Sequence, residues 1–448
     1  MTIEPLTSRP GGEAAQRKLL IAIAIVFVLK LVVYLLVIPA YSQQLGPLWG
    51  IGPADNYDVI ADNIRRGFGY RFSPDTALTL MREPGYPYFL ALLEWLFGAG
   101  LTAPIVANLV LSSGSALLIS NLGRSISPLP WAPQLAALLF MLHPGVAVAE
   151  LRSGVEIPFI FMLLCFFLAL RRALHTERVC DYMFAGLILG LTSCVRSTAL
   201  LFPPFLLLYH WGRQRSWRSL WQSLARIAAT MIVAFLVLTP WIVRNYELVG
   251  KFIPTASVGG VALQVGNYIC THADGEKGFH QRDVEAAKVR RELASQLGYR
   301  FTGDYYQYFY DPHDEVSFNA ELSRRVTEQY RHSPATFAKC AAENLVSFWF
   351  AGKTKTSTLL NVAVQLPYLV LGLVGLALGF RRADPALLAC LLLFVVYSEA
   401  VYAPIHAQAR YSVPMVPILA LFAAIPLARL GERLFSKRRA LASGAGIV

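Results

Sequence analysis

PADNYDVIADNIRRGFGYRFSPDTALTLMREPGYP, residues 53–87, is a polar, ionisable stretch inside a chain that is otherwise mostly apolar. It holds five acids, Asp55, Asp58, Asp62, Asp75 and Glu83, beside the cations Arg65, Arg66, Arg71 and Arg82. Aromatic residues are interleaved with them: Tyr57, Phe68, Tyr70, Phe72 and Tyr86. An apolar run, Leu19 to Ala40, precedes the stretch, and further apolar runs follow it. Ionisable groups are expensive to hold at a membrane, so such a cluster marks a functional site. The stretch reads as a mouth facing out of the membrane, with arginines for an anionic group and aspartates for a second reactant.

Composition sets the surroundings. Of 448 residues, 55% are hydrophobic and 15% charged, and the mean hydropathy is +0.48. Apolar runs of about 18 residues or more recur, which is the length a helix needs to cross a bilayer. The chain reads as an all-α polytopic membrane protein. Its net charge of +12 sits in short clusters beside apolar runs, as the positive-inside bias expects. With no basic groove or known motif, nucleic acid is not an expected partner. The run after Arg17 and Lys18 is too long for a signal peptide and reads as an uncleaved first helix. Among six cysteines, Cys270 and Cys340 both fall in a stretch expected outside, where a disulfide is open.

Charge bookkeeping predicts about ten crossings with both termini inside. Residues 1–18 form an inner N-terminus. Residues 19–241 form a transmembrane module containing an outer loop at 42–100, whose pieces 57–64 and 85–98 read as short interfacial helices. The run 182–210 has basic residues at both ends and Arg196 between, so it reads as two short helices. Residues 242–340 form a folded external segment with a helix at about 284–297. Residues 341–430 return to the membrane, with 342–351 dipping into the interface, and 431–448 form a basic inner tail.

Several residues carry candidate chemistry. Asp55 and Asp58 flank Tyr57; either carboxylate suits activation of an acceptor hydroxyl, or, more plainly, Asp55 is the N-cap of the helix that starts there and Asp58 a favourable first-turn acid. Arg82 precedes a Pro84-Gly85 turn and is a candidate for gripping phosphate with two parallel donors. Glu83 is open between a divalent metal and a pair with Arg82. Glu156, at the outer end of a crossing, either meets Asp55 across the mouth or pairs with Arg152. Arg196 and Arg410 are further phosphate candidates, with His406 four residues before Arg410. Tyr57, Tyr70, Tyr86 and His143 are candidate pocket walls. His272, Asp274 and His280 are loosely spaced for a metal.

The motifs YDVIADNIRRGFGY (57–70) and REPGYP (82–87) resemble the first outer loop of the glycosyltransferase C superfamily. The likeness is to the branch of protein mannosyltransferases and the lipid A aminoarabinose transferase. HPG and EIP (143–145, 156–158), GLILGLTSCVRSTA (186–199), PWIVRNY (240–246) and RYSVP (410–414) follow in the matching order. The resemblance implies a helical bundle that moves a sugar, with inversion, from a polyprenyl-phosphate donor in a bacterial inner membrane. The transfer would occur at the outer face, with a first-loop acid as key and a glycan, lipid or protein as acceptor. Where family members place that acid four residues before the tyrosine, this chain has Pro53, and Asp55 lies two before. No cofactor is required by the resemblance, and a divalent metal stays open. A transporter or flippase of a lipid-linked sugar is the second reading; membrane lipids are partners in both.

Overall fold

The structure, a computed structural model, describes residues 12–40, 52–53, 55–214, 217–272 and 279–442. In lipid a chain must satisfy its own backbone polar groups, so the apolar runs become helices. In chain order they are α1 (Gly12–Val32, prolonged by a π turn over Val33–Val37 and by Ile38–Ala40), α2 (Tyr57–Arg65), α3 (Gly85–Phe97), α4 (Thr102–Ile126), α5 (Ala132–Met141) and α6 (Pro144–Glu150). Then come α7 (Glu156–Thr176), α8 (Val179–Val195), α9 (Leu206–Gln214) and α10 (Trp217–Val249). The rest are α11 (Gly259–Thr271), α12 (Phe279–Gln296), α13 (Pro312–His332), α14 (Pro334–Phe350), α15 (Lys355–Gly379), α16 (Pro385–Tyr402) and α17 (Val416–Ala442).

Seven of these, α1, α4, α7, α10, α15, α16 and α17, are long and apolar enough to span a bilayer. The pair α5–α6, bent by 53°, makes up to eight. The sequence count of about ten also took 182–210 as two crossings. That run does form two helices broken at Arg196, but α8 has only 17 residues and α9 only nine. The chain is an integral membrane protein built around this bundle.

Packing follows from small and aromatic side chains. A Cβ on Gly186 would sit 2.3 Å from the Thr230 carbonyl oxygen, so only glycine lets α8 lie this close to α10. Phe166, Phe167, Phe202 and Phe394 meet edge to face at the centre, with ring centroids 5.1–6.5 Å apart. An ion pair lies between α1 and α6. Lys30 of α1 donates to both Glu150 oxygens, at 3.0 and 2.7 Å, and the Tyr34 hydroxyl donates to one of them at 2.7 Å.

Residues 250–354 form a helical cap. The sequence reading began it at 242, but α10 runs through Pro240 to Val249. Proline removes one hydrogen bond without ending a helix whose apolar face stays packed. The cap has its own core of Val261, Val265, Ala294, Phe309, Phe318 and Leu322. The expected helix at 284–297 is α12. A disulfide joins Cys270 of α11 to Cys340 of α14. Two strands, β3 (Phe301–Thr302) and β4 (Tyr308–Phe309), pair antiparallel as a hairpin.

Candidate active site

The mouth is held by a short parallel pairing, β1 (Gly52–Pro53) with β2 (Arg152–Ser153). It lays the first loop beside the second, so Asp55 and Arg152 arrive together from residues about a hundred apart. Next, Asp55 and Asn56 both take left-handed backbone, φ 56° and 59°. Two non-glycine residues in that region are strained and persist only when their surroundings hold them. The holders are visible. Arg82 Nε donates to the Asp55 carbonyl oxygen at 3.1 Å. Arg410 donates Nη1 and Nη2 to the two Asp55 carboxylate oxygens, at 2.9 and 3.3 Å. Asn56 Nδ2 donates to the Tyr308 hydroxyl.

These contacts correct two expectations. Asp55 is not a helix cap: Asn56 holds that position, and its side chain caps nothing. Nor are His406 and Arg410 one helical turn apart. Residues 406–408 have no helical structure, and Ala409–Met415 is a 3₁₀ turn. Two prolines within five residues of that turn, at 404 and 414, suit such a break.

Arg82 is buried, with its guanidinium over Tyr57 at 5.4 Å and over Tyr306 of the cap at 4.9 Å. Its neighbour Glu83 accepts from Ser197 N–H at 3.1 Å and from Ser197 Oγ at 2.7 Å. Glu83 therefore fixes the turn after α8 and is not paired with Arg82. That turn carries Arg196, buried in a cage of Phe159, Tyr402 and Tyr411 at 5.7, 5.6 and 5.1 Å. A Cβ on Gly85 would lie 2.8 Å from the Cys194 carbonyl oxygen. Glycine at 85 is thus what lets Arg82–Glu83 sit against the end of α8. Glu156 opens α7, is 5% exposed, and acts electrostatically on Arg152, Arg196 and Arg410.

The other candidates take supporting places. Tyr70 donates to the carbonyl oxygens of Arg82 and Glu83, at 3.2 and 2.8 Å, and so braces that strand from behind. Tyr57 and Tyr86 meet edge to face at 5.3 Å beneath Arg82. His143 caps α6 by accepting from Gly145 N–H at 3.0 Å and packs on Tyr368, so its ring holds the α5–α6 bend. Asp58 accepts its own and the Val59 backbone N–H, the first-turn role that was the plainer reading. His272 stacks on Tyr268, and Asp274 lies outside the described residues. Among the described residues no three His, Cys, Asp or Glu side chains are grouped to hold a metal.

Sequence reasoning missed the cap's contribution. Glu315 of α13 accepts from Thr79 Oγ1 at 2.7 Å, Leu80 N–H at 2.9 Å and Ser257 Oγ at 2.6 Å. It clamps the strand that delivers Arg82. Tyr306 and Tyr308 reach in from the β3–β4 hairpin. No local pattern around TyrTyr (305–306) signals this, because the contact joins residues over two hundred apart.

Charge decides what the cluster can do. Arg82, Arg152, Arg196 and Arg410 gather with Asp55, Glu83 and Glu156, four arginines against three acids, with Lys353 beside them. Burial would raise the Asp55 carboxyl, but Arg410 and Arg82 hold it well below the usual range, so it is ionised. Burial pushes the Asp58 carboxyl up. Three guanidinium atoms are buried without a hydrogen-bond partner: Arg82 Nη2, Arg196 Nη1 and Arg410 Nε. Unsatisfied buried donors are costly, and an anion that reaches all three satisfies them.

Comparison with known proteins agrees with this geometry. Residues 81–243 match the family described as dolichyl-phosphate-mannose-protein mannosyltransferase. No curated protein matches the chain by sequence. The fold is shared with the oligosaccharyltransferase AglB of Archaeoglobus fulgidus, solved with an inhibitory peptide and a dolichol-phosphate, at a TM-score of 0.53 and 16% identity. The match covers 97% of this chain and 52% of that one, so this chain spans about half its length. ArnT of Cupriavidus metallidurans, bound to undecaprenyl phosphate, aligns at a TM-score of 0.42 and 14% identity, over 93% of this chain and 79% of that one. That looser likeness adds no weight. From the end of the first loop through most of α10 the chain is thus similar to that mannosyltransferase family, and its helical membrane fold is the one AglB has.

Proposed function

We propose that the protein moves a sugar from a polyprenyl-phosphate donor to an acceptor at the outer face of a bacterial inner membrane, with inversion at the sugar carbon. The observation that carries this reading is the buried excess of cations with three unpartnered guanidinium atoms. A sugar phosphate brings the anion they lack, and its lipid tail suits the apolar helices beneath. Arg82, Arg196 and Arg410 hold the phosphate and stabilise charge as it leaves. Asp55 orients the acceptor hydroxyl and takes its proton. An arriving phosphate competes for Arg410, which loosens the pair with Asp55 and raises its basicity once the donor is in place. Glu156 stabilises positive charge developing on the sugar ring. Tyr57 and Tyr86 floor the site, while Glu83, Tyr70 and His143 hold its frame. The acceptor is a glycan, lipid or protein hydroxyl.

The test uses purified protein and radiolabelled polyprenyl-phosphate sugars, wild type against Asp55→Asn. Label in a new product with wild type alone supports transfer. Label that crosses a vesicle without a new bond supports a flippase instead. Full activity in Asp55→Asn with none in Asp58→Asn would move the base to Asp58.

A further inference from the structure

The cap carries a second polar cleft, away from the charged cluster. It encloses about 290 Å³ between α11, α12 and α13, close to the lower end of small-ligand pockets, roughly 300 Å³. Its walls present the amides of Gln264, Asn267, Gln296 and Gln329 and the ring of Tyr268. Leu322 and Val326 supply an apolar floor. Arg290 is wholly buried at its base. Arg290 Nε has no hydrogen-bond partner. Asn267 Nδ2, on an 8% exposed residue near the Tyr330 hydroxyl, makes no bond of normal geometry either. Buried donors left open at a cleft point to a ligand that supplies acceptors.

The donor set identifies its class. The Gln296 and Gln329 amides each offer a donor and an acceptor side by side, which neighbouring sugar hydroxyls match. Charge is nearly balanced, since Arg325 is tied to Glu321 at 2.6 Å. The walls are helices whose backbone groups bond within the helix, so there is no strand edge for a peptide to join. Arg290 also connects the cleft to the cluster. It donates Nη1 to Gln264 Oε1 at 2.8 Å and Nη2 to the Tyr305 carbonyl oxygen at 3.1 Å. The next residue, Tyr306, lies over Arg82.

We propose that this cleft binds a neutral, hydroxyl-rich saccharide, the distal part of the acceptor, and that Arg290 reports its occupancy to the Tyr306 side of the site. Only the word acceptor rests on the transfer reading; the binding itself does not. Full-length protein in nanodiscs is titrated with a panel of fluorescent neutral hexose tetrasaccharides by polarisation. At least one binds, and Gln296→Leu/Gln329→Leu weakens it about fivefold or more, as expected for losing two neutral hydrogen bonds. Asp55→Asn binds it as wild type does. Binding of none, or equal binding by the double variant, overturns the proposal, as does a blocked peptide occupying this face in its place. Appearance of a labelled transfer product is followed in parallel; its absence from wild type counts against the transfer reading and leaves the cleft standing.

Discussion

Two buried clusters of charge in this molecule differ in how completely they are satisfied. Inside the bundle, Lys30 gives two bonds to Glu150, Tyr34 gives a third, and one cation meets one anion. At the mouth, four arginines and Lys353 meet three acids, and three guanidinium atoms stay open. The first cluster is closed and holds α1, most of whose surface faces outward, to the end of α6. The second is open, and openness in a buried cluster is what a ligand uses. Burial of charge alone does not mark a site; the difference lies in the unpartnered donors.

Breaking the closed pair is expected to have the largest effect, on stability. Lys30→Met leaves Glu150 buried without its cation, at about 3–5 kcal/mol. Lys30→Met/Glu150→Gln recovers most of that in a denaturation series. Donor KM stays at the wild-type value in either variant. A shift in KM from Lys30→Met would erase the distinction between the two clusters.

Asp55→Asn inverts the pattern. Transfer falls about 10²–10⁴-fold, the range for losing a positioned general base. Retention of more than half the rate removes Asp55 from the chemistry. Arg196→Lys keeps the charge but loses the flat fork that fills the aromatic cage. It is expected to raise donor KM about tenfold with a smaller change in kcat. An unchanged KM would place Arg196 outside the phosphate site.

The edge of the cluster carries a pH dependence. His406 is buried and stacks on Phe279. Burial, with Arg410 and Arg290 nearby, lowers its imidazole to about 3 from the ordinary 6.5. The unfolded chain therefore takes a proton below pH 6.5 that the fold refuses. This stability is complete above that pH and is lost as pH falls toward 3, by up to about 1.4 kcal/mol per unit. Unfolding midpoints from pH 7 to 4 should fall less steeply in His406→Gln. Equal slopes would mean that the ring is solvated.

Much of the fold was legible because lipid imposes a long-range rule on local sequence. A run of apolar residues must become a helix. The first loop was legible in the same way. Tyr57, Ile60 and Ile64 share a stripe, and α2 buries Tyr57 and Ile60. Arg82 could be singled out because Pro84 and Gly85 fix a turn beside it. Tyr70 and His143 looked like pocket walls because residue type shows that a ring will be buried and not which neighbour will use it. The start of the cap and the role of Glu83 were hidden for a related reason. Each depends on a partner far along the chain, the packing around Pro240 in one case and Ser197 in the other.

The sequence alone determined the class of environment: oily helices, a charged mouth, and a ring of arginines and acids in a familiar order. Tertiary structure decided the pairings. It set Arg410 on Asp55 across more than 350 residues, Glu83 on the turn that carries Arg196, and Glu315 of the cap on the strand behind Arg82. The division is physical. Hydrophobic partition acts on each segment by itself and can be read along the chain. A hydrogen bond or ion pair depends on two groups meeting at about 3 Å in a set direction, and only the packed chain establishes that.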